Sequence, residues 1–424
     1  MIRTLSHPPD VPGTAAPLAQ WLSWLETIHP VAIDMGLDRV SRVADRLQLR
    51  PVDCPVVLVG GTNGKGSTVA MLSAIYGAAG YRVGAYTSPH IDDFRERIRI
   101  NGEMASARDV VDALAFVEAG RPPETLTYFE YTTLAAMQIF RQAQCDVCLL
   151  EVGLGGRLDA TNLWDADCAV VTSIALDHEE FLGSDISVIA TEKAAIGRTG
   201  RTLVVGEPDP PASLSSFANR EGIRLEQVGD LPSSALPLTN LQGEHQRRNA
   251  ACAAAVVTQL DERLPVSAET LRTALLKVGI PARFEQGHCD GVSVVMDVAH
   301  NPAGAEALCR TWQQVFAGQR AEVVFAALAD KDLAGIVAAL EPVVAHWHCV
   351  QLDVARAMPL EQLAQSVQEA SEHPLSQHAS VADAWQTASA AARKNGTAVL
   401  VAGSFHTIAS VHEVLDPDQV SGRE

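Results

Sequence analysis

Nowhere in this 424-residue chain do apolar residues run uninterrupted for the about 18 positions that a membrane-spanning helix requires. The opening segment, MIRTLSHPPDVPGTAAP, has one arginine but lacks the apolar stretch of a secretory leader. The mature chain is therefore expected to begin near Met1 and to stay in the cytoplasm, away from membranes. Basic residues are scarce, with 32 Lys plus Arg against 51 Asp plus Glu and a formal charge of −19. Such a field repels phosphate backbones, so no nucleic-acid partner is expected. Low-complexity tracts, internal repeats and long linkers are also missing, and at 47% hydrophobic and 20% charged residues the chain reads as globular throughout. The eight cysteines are dispersed. Cys145 and Cys148 form one CxxC, but no second pair exists to complete a zinc site, and residues three apart on a strand point to opposite faces. All eight are read as reduced packing residues.

What is present is a series of short apolar runs, each the length of a strand: 55–60, 81–87, 145–153, 167–175 and 202–207. Continuous apolarity without alternation means burial on both faces, as in parallel strands covered by helices. Alanine-rich helical stretches separate the runs, STVAMLSAIYGAAG after the first and TTLAAMQIFRQAQ before the third. This alternation predicts an α/β fold with a doubly wound N-terminal domain of the phosphate-loop ATPase type and a mostly parallel sheet. A second series at 292–300, 321–329, 347–354 and 397–405 predicts a smaller, Rossmann-like α/β domain at the C-terminal end. The length suits two cores. The boundary is expected near Gly287, dividing the chain into 1–286 and 287–424.

Directly after the first run comes Gly60-Gly61-Thr62-Asn63-Gly64-Lys65-Gly66-Ser67-Thr68, followed by a helical pattern. Strand, glycine-rich loop and helix together form the setting in which backbone N–H groups and a helix dipole hold phosphate, with Lys65 as a point charge. Such local devices are what an acidic chain needs if its ligand is an anion such as ATP. The strict GxxxxGK[ST] pattern is missed, because Gly66 stands where the hydroxyl should be. The metal-facing hydroxyl is then Ser67, with Thr68 as the alternative. Ser88, Glu151 and His178 each follow or end a predicted buried strand, where the loops of an open sheet meet ligands, and their types suit a magnesium site.

The loop GTNGKGST resembles that of the Mur ligase superfamily. Further segments narrow the resemblance to folylpolyglutamate synthases and bifunctional dihydrofolate synthases: HPVAIDMGL (29–37), TSPH (87–90), TYFEYTTL (127–134), LEVGLGGRLDATN (150–162), TSIALDHEEFLG (172–183), TEKAAIG (191–197), RFEQG (283–287), MDVAHNP (296–302) and GSFHT (403–407). They occur in the family's order along nearly the whole chain.

The resemblance implies an ATP-dependent ligase that activates a carboxylate as an acyl phosphate and joins it to glutamate, with L-glutamate, dihydropteroate and reduced folates as partners in folate biosynthesis and one-carbon metabolism. It implies two Mg2+ ions, assigns Ser88 and Glu151 to one and His178 to the other, and makes Lys193 a carbamylated lysine that helps to hold the second. Carbamylation needs a neutral amine, so Lys193 is expected to be partly buried with a lowered pKa. Gly61 to Thr68, His245, Asn249, Arg283 and Asp297 are implied for ATP, with Asn249 beside adenine. Arg283, Asp297 and His300 are implied for phosphate, ribose and the incoming glutamate. Lys65, His178, Lys193, Asp297 and His300 form the implied catalytic set. Thr127, Phe129 and Asp159 would seat the pterin, and Ser404 and His406 complete the substrate set. HPVAIDMGL favours the bifunctional activity over a monofunctional folylpolyglutamate synthase, and a monomer is expected. A peptidoglycan Mur ligase would carry a UDP-binding domain ahead of the loop, whereas 59 residues precede Gly60. A nucleotide switch or motor would need the conventional GK[ST] loop, and a non-catalytic nucleotide-binding module would have no use for Glu151, His178 and Lys193.

Overall fold

A computed structural model describes residues 10–415, apart from 30, 32 and 290 and the side chain of 233. The chain divides into two compact units, Met1–Pro237 with Arg248–Leu275, and Leu238–Arg247 with Leu276–Glu424.

The first unit is built on eight strands: β1 (Val56–Gly60), β2 (Val83–Tyr86), β3 (Ile98–Ile100), β4 (Glu103–Met104), β5 (Val147–Glu151), β6 (Cys168–Val171), β7 (Thr202–Val205) and β8 (Arg224–Gln227). Their spatial order is β4-β3-β2-β5-β1-β6-β7-β8. From β2 to β8 the neighbours run parallel, and only β3 and β4 pair antiparallel at one edge. Every residue of β1, β2, β5, β6 and β7 is buried, as their unbroken apolarity predicts. The helix Lys65–Ala78 packs on β1, β2 and β5. Ahead of the sheet, Trp24 of the helix Leu18–Leu25 meets the ring of Tyr131 edge-on at 6.0 Å, fixing the N-terminal segment to the helix Tyr128–Gln142.

The second unit holds β9 (Glu285–Cys289), β10 (Val292–Met296), β11 (Ala321–Phe325), β12 (Val344–Val350), β13 (Leu375–His378) and β14 (Ala398–Ala402), in the order β13-β12-β11-β14-β10-β9. All neighbours are parallel except β9, which is antiparallel to β10. The boundary expected at 286/287 falls inside β9. Because Glu285 pairs with Met296 and Gln286 with Val295, the chain has joined the second sheet before that point.

Among the described residues no helix is long and apolar enough to cross a membrane. The fold is the expected one, a doubly wound, mostly parallel domain followed by a smaller α/β domain.

Candidate active site

Strand order assembles the site. β1 lies between β5 and β6, with Val59 opposite Glu151 and Gly60 opposite Val171. The turns that follow these three parallel strands therefore leave the sheet side by side, although the first lies about a hundred residues ahead of the other two in sequence.

The turn after β1 is the phosphate loop. Gly61 has φ +138° and Gly64 φ +87°, so both lie in the region that disfavours a side chain. A Cβ at Gly61 would overlap the Thr172 hydroxyl, and one at Gly64 would come within 2.5 Å of Asn249 Oδ1. Asn249 thus stands against the loop that the sequence assigns to ATP. Residues after β6 clasp the loop from the other side. Asn63 N donates to Ser173 Oγ at 2.9 Å, the Asn63 carbonyl accepts from Thr172 Oγ1 at 2.7 Å, and Thr62 N donates to the Ser173 carbonyl at 2.8 Å. Sequence reasoning assigned Thr172 and Ser173 no role, although both lie in the quoted segment TSIALDH. Gly64 is the N-cap of the helix Lys65–Ala78 and offers no capping side chain, so the first-turn N–H groups face outward as an anion cradle. Lys65 Nζ donates to the carbonyls of Gly61 at 3.1 Å and Thr62 at 2.9 Å.

The hydroxyls of Ser67 and Thr68 differ in a way that bears on metal binding. Thr68 Oγ1 donates to the Gly64 carbonyl at 3.0 Å, whereas Ser67 Oγ is buried without a hydrogen-bond partner. Glu151 is buried, its Oε2 accepts from Ser88 N at 3.1 Å, and the same oxygen would lie 3.4 Å from a Cβ at Gly66. Ser88 and Glu151 therefore meet beside Gly66, the residue next to Ser67 in the first turn of the helix. An orphaned hydroxyl in the first turn and a buried carboxylate packed against that turn are donor types that fit a hard divalent cation.

Across the loop, Gly61, Thr62, Lys65, Asp177, His178 and Lys193 line one cavity. Lys193 is more deeply buried than the partial burial expected, and its pKa is pulled down to about 7, first by burial and then by the charge of Lys65, against the attraction of Asp177. His178 adopts a left-handed backbone (φ 54°), its N–H donates to Asp177 Oδ1 at 2.9 Å, and its Nε2 is 3.9 Å from Asp177 Oδ2. Asp177 is a cavity residue that the sequence did not single out.

The segments expected to seat the pterin also meet. The Phe129 ring lies so close over Gly153 that a Cβ there would come within 2.7 Å of it, and it tilts against Tyr86 with centroids 5.8 Å apart. Asp159 is buried, with its carboxylate accepting from Leu154 N at 2.9 Å, Thr161 N at 2.9 Å and Thr161 Oγ1 at 2.6 Å. Burial pushes its pKa up, against these hydrogen bonds. Thr127 is a buried N-cap that forms a capping box with Glu130. Both residues therefore hold their own local backbone, Thr127 at a helix start and Asp159 at the turn 154–161. In HPVAIDMGL, Pro30 and Ala32 lie outside the described residues. Asp34 pairs with Arg39 at 2.6 Å, Arg39 pairs with Glu130 at 3.0 Å, and Met35 Cε would lie 3.6 Å from a Cβ at Gly155.

In the second unit the remaining expected residues gather where β10 and β14 end. Asp297 accepts from Phe284 N at 2.8 Å and Ala299 N at 2.9 Å, and burial raises its pKa against the opposing charge of Arg283. The Arg283 guanidinium lies 5.4 Å from the Phe405 ring centroid, and the His300 ring lies 5.9 Å from it. Ser404 is a buried N-cap accepting from Thr407 N at 3.0 Å, and His406 follows on the exposed side. His245 stands beside Gly243 and belongs to the second unit, whereas Asn249 belongs to the first.

Family models match two stretches of the chain. Residues 59–230 match the Mur ligase middle domain, and residues 282–405 match the Mur ligase glutamate ligase domain. Fold and site together define an ATP-dependent ligase of the Mur type. The chain is 41% identical over 97% of its length to an Escherichia coli protein named dihydrofolate synthase/folylpolyglutamate synthase, covering 99% of that protein, and 33% identical over 86% to a Mycobacterium tuberculosis protein of the same name, covering 86%. It belongs to the dihydrofolate synthase/folylpolyglutamate synthase family. Among solved structures, E. coli FolC in complex with DHPP and ADP superposes with a TM-score of 0.86 at 40% identity, covering 95% of this chain and 98% of that one. The Yersinia pestis bifunctional enzyme complexed with AMPPNP and Mn gives a TM-score of 0.84 at 40% identity, covering 95% of this chain and 99% of the other.

Proposed function

We propose that this chain joins L-glutamate to dihydropteroate, giving dihydrofolate, and adds further glutamate to reduced folates, in each case through an acyl phosphate made from ATP. The observation that carries this reading is the pairing of a phosphate loop with a buried, nearly neutral lysine. Lys65 and Lys193 share one cavity, and Lys193 is held near pKa about 7. A nucleotide switch has no use for such an amine, whereas a ligase can convert it to a carbamate. One CO2 adds to the neutral nitrogen and one proton leaves, so that the amine becomes an anionic oxygen ligand.

The first-turn N–H groups of the helix Lys65–Ala78 hold the terminal phosphates, and Lys65 exchanges its loop carbonyls for phosphate oxygens. Magnesium, taken as two ions, supplies charge neutralisation as the phosphoryl group moves, with Ser67, Ser88 and Glu151 suited to one ion and His178 with carbamylated Lys193 to the other. A substrate carboxylate oxygen attacks the γ-phosphorus and ADP leaves. The glutamate amine then attacks the acyl carbon, a proton is lost and phosphate departs. His245 and Asn249 serve the adenine end of ATP, and Arg283 and Asp297 its phosphate and ribose. His300, Ser404 and His406 serve the incoming glutamate. Phe129 stacks on the pterin. Asp159 holds the turn beneath the pterin through its three hydrogen bonds and presents its carboxylate to the ring's amino-pyrimidine edge.

The test is mass analysis of products from ATP and glutamate with dihydropteroate, a reduced folate or UDP-sugar acids offered in turn. Dihydrofolate and a lengthened folate are the expected products. Lengthened folate alone would make the enzyme monofunctional, and ligation of a UDP-sugar acid alone would overturn the folate assignment.

A further inference from the structure

At the other ends of the strands that carry the site, two thiols meet. Cys54 precedes β1, and Cys148 lies within β5 three residues before Glu151. Their sulfurs are 3.5 Å apart. The contact follows from the pairing of the two strands, in which Val56 stands opposite Cys148 and Cys148 N donates to the Pro55 carbonyl at 2.9 Å. Of the eight cysteines, Cys54 alone is not buried. The pair thus combines an outer, half-buried thiol with an inner, fully buried one.

Nothing in the ligase reaction uses these groups. From the sulfur–sulfur contact and the difference in exposure, we propose that Cys54 and Cys148 are a reversible oxidation site that takes a peroxide as its oxidant and closes to an intramolecular disulfide. The Cys54 thiolate attacks one peroxide oxygen, an S–O bond forms as the O–O bond breaks, and the first water leaves. The sulfur of Cys148 loses its proton and attacks Cys54, the S–S bond forms as the S–O bond breaks, and the second water leaves. Both thiols together give up two electrons and the peroxide takes them.

The surroundings favour this order of events. A hydrogen bond from Cys148 draws the Cys54 thiol below its usual pKa against the opposing effect of its own partial burial, with a weaker pull from Arg263, while the same contact and burial push Cys148 well up. The outer sulfur is therefore the first nucleophile and the inner one resolves it. Closure requires the sulfurs to approach from 3.5 Å to a bond of about 2.05 Å, a movement of side-chain size.

The experiment treats the folded full-length chain with hydrogen peroxide, quenches it by acid, and maps the remaining thiols and linked peptides by mass spectrometry. The expected result is a single Cys54–Cys148 cross-link, with a loss of about 2 Da that dithiothreitol reverses. Cys148→Ser should leave Cys54 as a sulfenic acid that a cyclic diketone probe captures, and Cys54→Ser should leave Cys148 reduced under the same dose. Two results would overturn the proposal: wild-type Cys54 accumulating as captured sulfenic or sulfinic acid with no cross-link, or a chain that stays folded with Cys54 unreacted.

Discussion

Lys193 and Lys65 face the same cavity, and the like charge of Lys65 adds to burial in holding the Lys193 amine near pKa about 7. The ordinary value is 10.5, so at intermediate pH the unfolded chain binds a proton that the folded chain does not. Stability of the ligand-free protein should therefore rise as pH increases from about 7 toward the ordinary lysine range, with the whole penalty present below that window. Lys193→Met should unfold at higher urea than wild type at pH 6, converge with it at high pH, and lose ligase turnover. Parallel stability profiles for the two proteins would contradict the buried neutral amine.

Ser67→Ala separates stability from metal binding. The native hydroxyl is buried without a partner, a condition that costs about 1–3 kcal/mol. Without nucleotide or metal, the variant should melt at or above the wild-type temperature. Its metal-dependent affinity for ATP should nevertheless fall by about tenfold or more. Calorimetric scans paired with titration of ATP in magnesium check both halves. A destabilised variant with normal ATP affinity would assign Ser67 to packing.

Gly64→Ala should deform the phosphate loop. The left-handed φ of +87° costs a side-chain-bearing residue about 1–2 kcal/mol, and the new methyl would press on the Asn249 amide. Nucleotide affinity should drop together with the melting temperature. Adding Asn249→Ala should recover part of the lost stability, because it removes one of the two clashing groups. A strictly additive double variant would mean that the two residues do not touch.

Asp159→Ala tests whether a backbone-holding carboxylate also reads substrate. Its hydrogen bonds to Leu154 and Thr161 predict a lower melting temperature in any case. If the carboxylate also meets the pterin, apparent affinity for dihydropteroate should fall about ten- to a hundredfold while ATP affinity stays near wild type. Equal losses for both ligands, measured by separate titrations, would leave Asp159 a structural role only.

The central strands were legible because burial on both faces writes itself as unbroken apolar sequence, and β1, β5, β6 and β7 all carry that signature. The edge strands did not. β8 reads RLEQ and β13 reads LSQH, with half-buried residues whose composition equally suits a loop. The phosphate loop announced itself through glycines, yet its clasp by Thr172 and Ser173 depends on β1 and β6 being neighbours, which no local pattern reports. Cys54 and Cys148 illustrate the same limit. The visible CxxC drew attention to Cys145, whereas the sulfur that Cys148 meets lies 94 residues away. Thr127 and Asp159 carried substrate roles by resemblance, and their capping duties became visible only with the backbone in place.

The placement of β1 between β5 and β6 also sets a schedule for the chain as it leaves the ribosome. The phosphate loop and its helix emerge early, but Glu151 and the clasp at Thr172 and Ser173 follow only after a long intervening stretch. Until β5 and β6 dock on either side of β1, the loop has neither the carboxylate beside Gly66 nor the hydroxyls that hold Asn63. Pairings so distant in sequence form late. The clasp on the loop and the carboxylate packed against its helix are therefore complete only once β6 has been made.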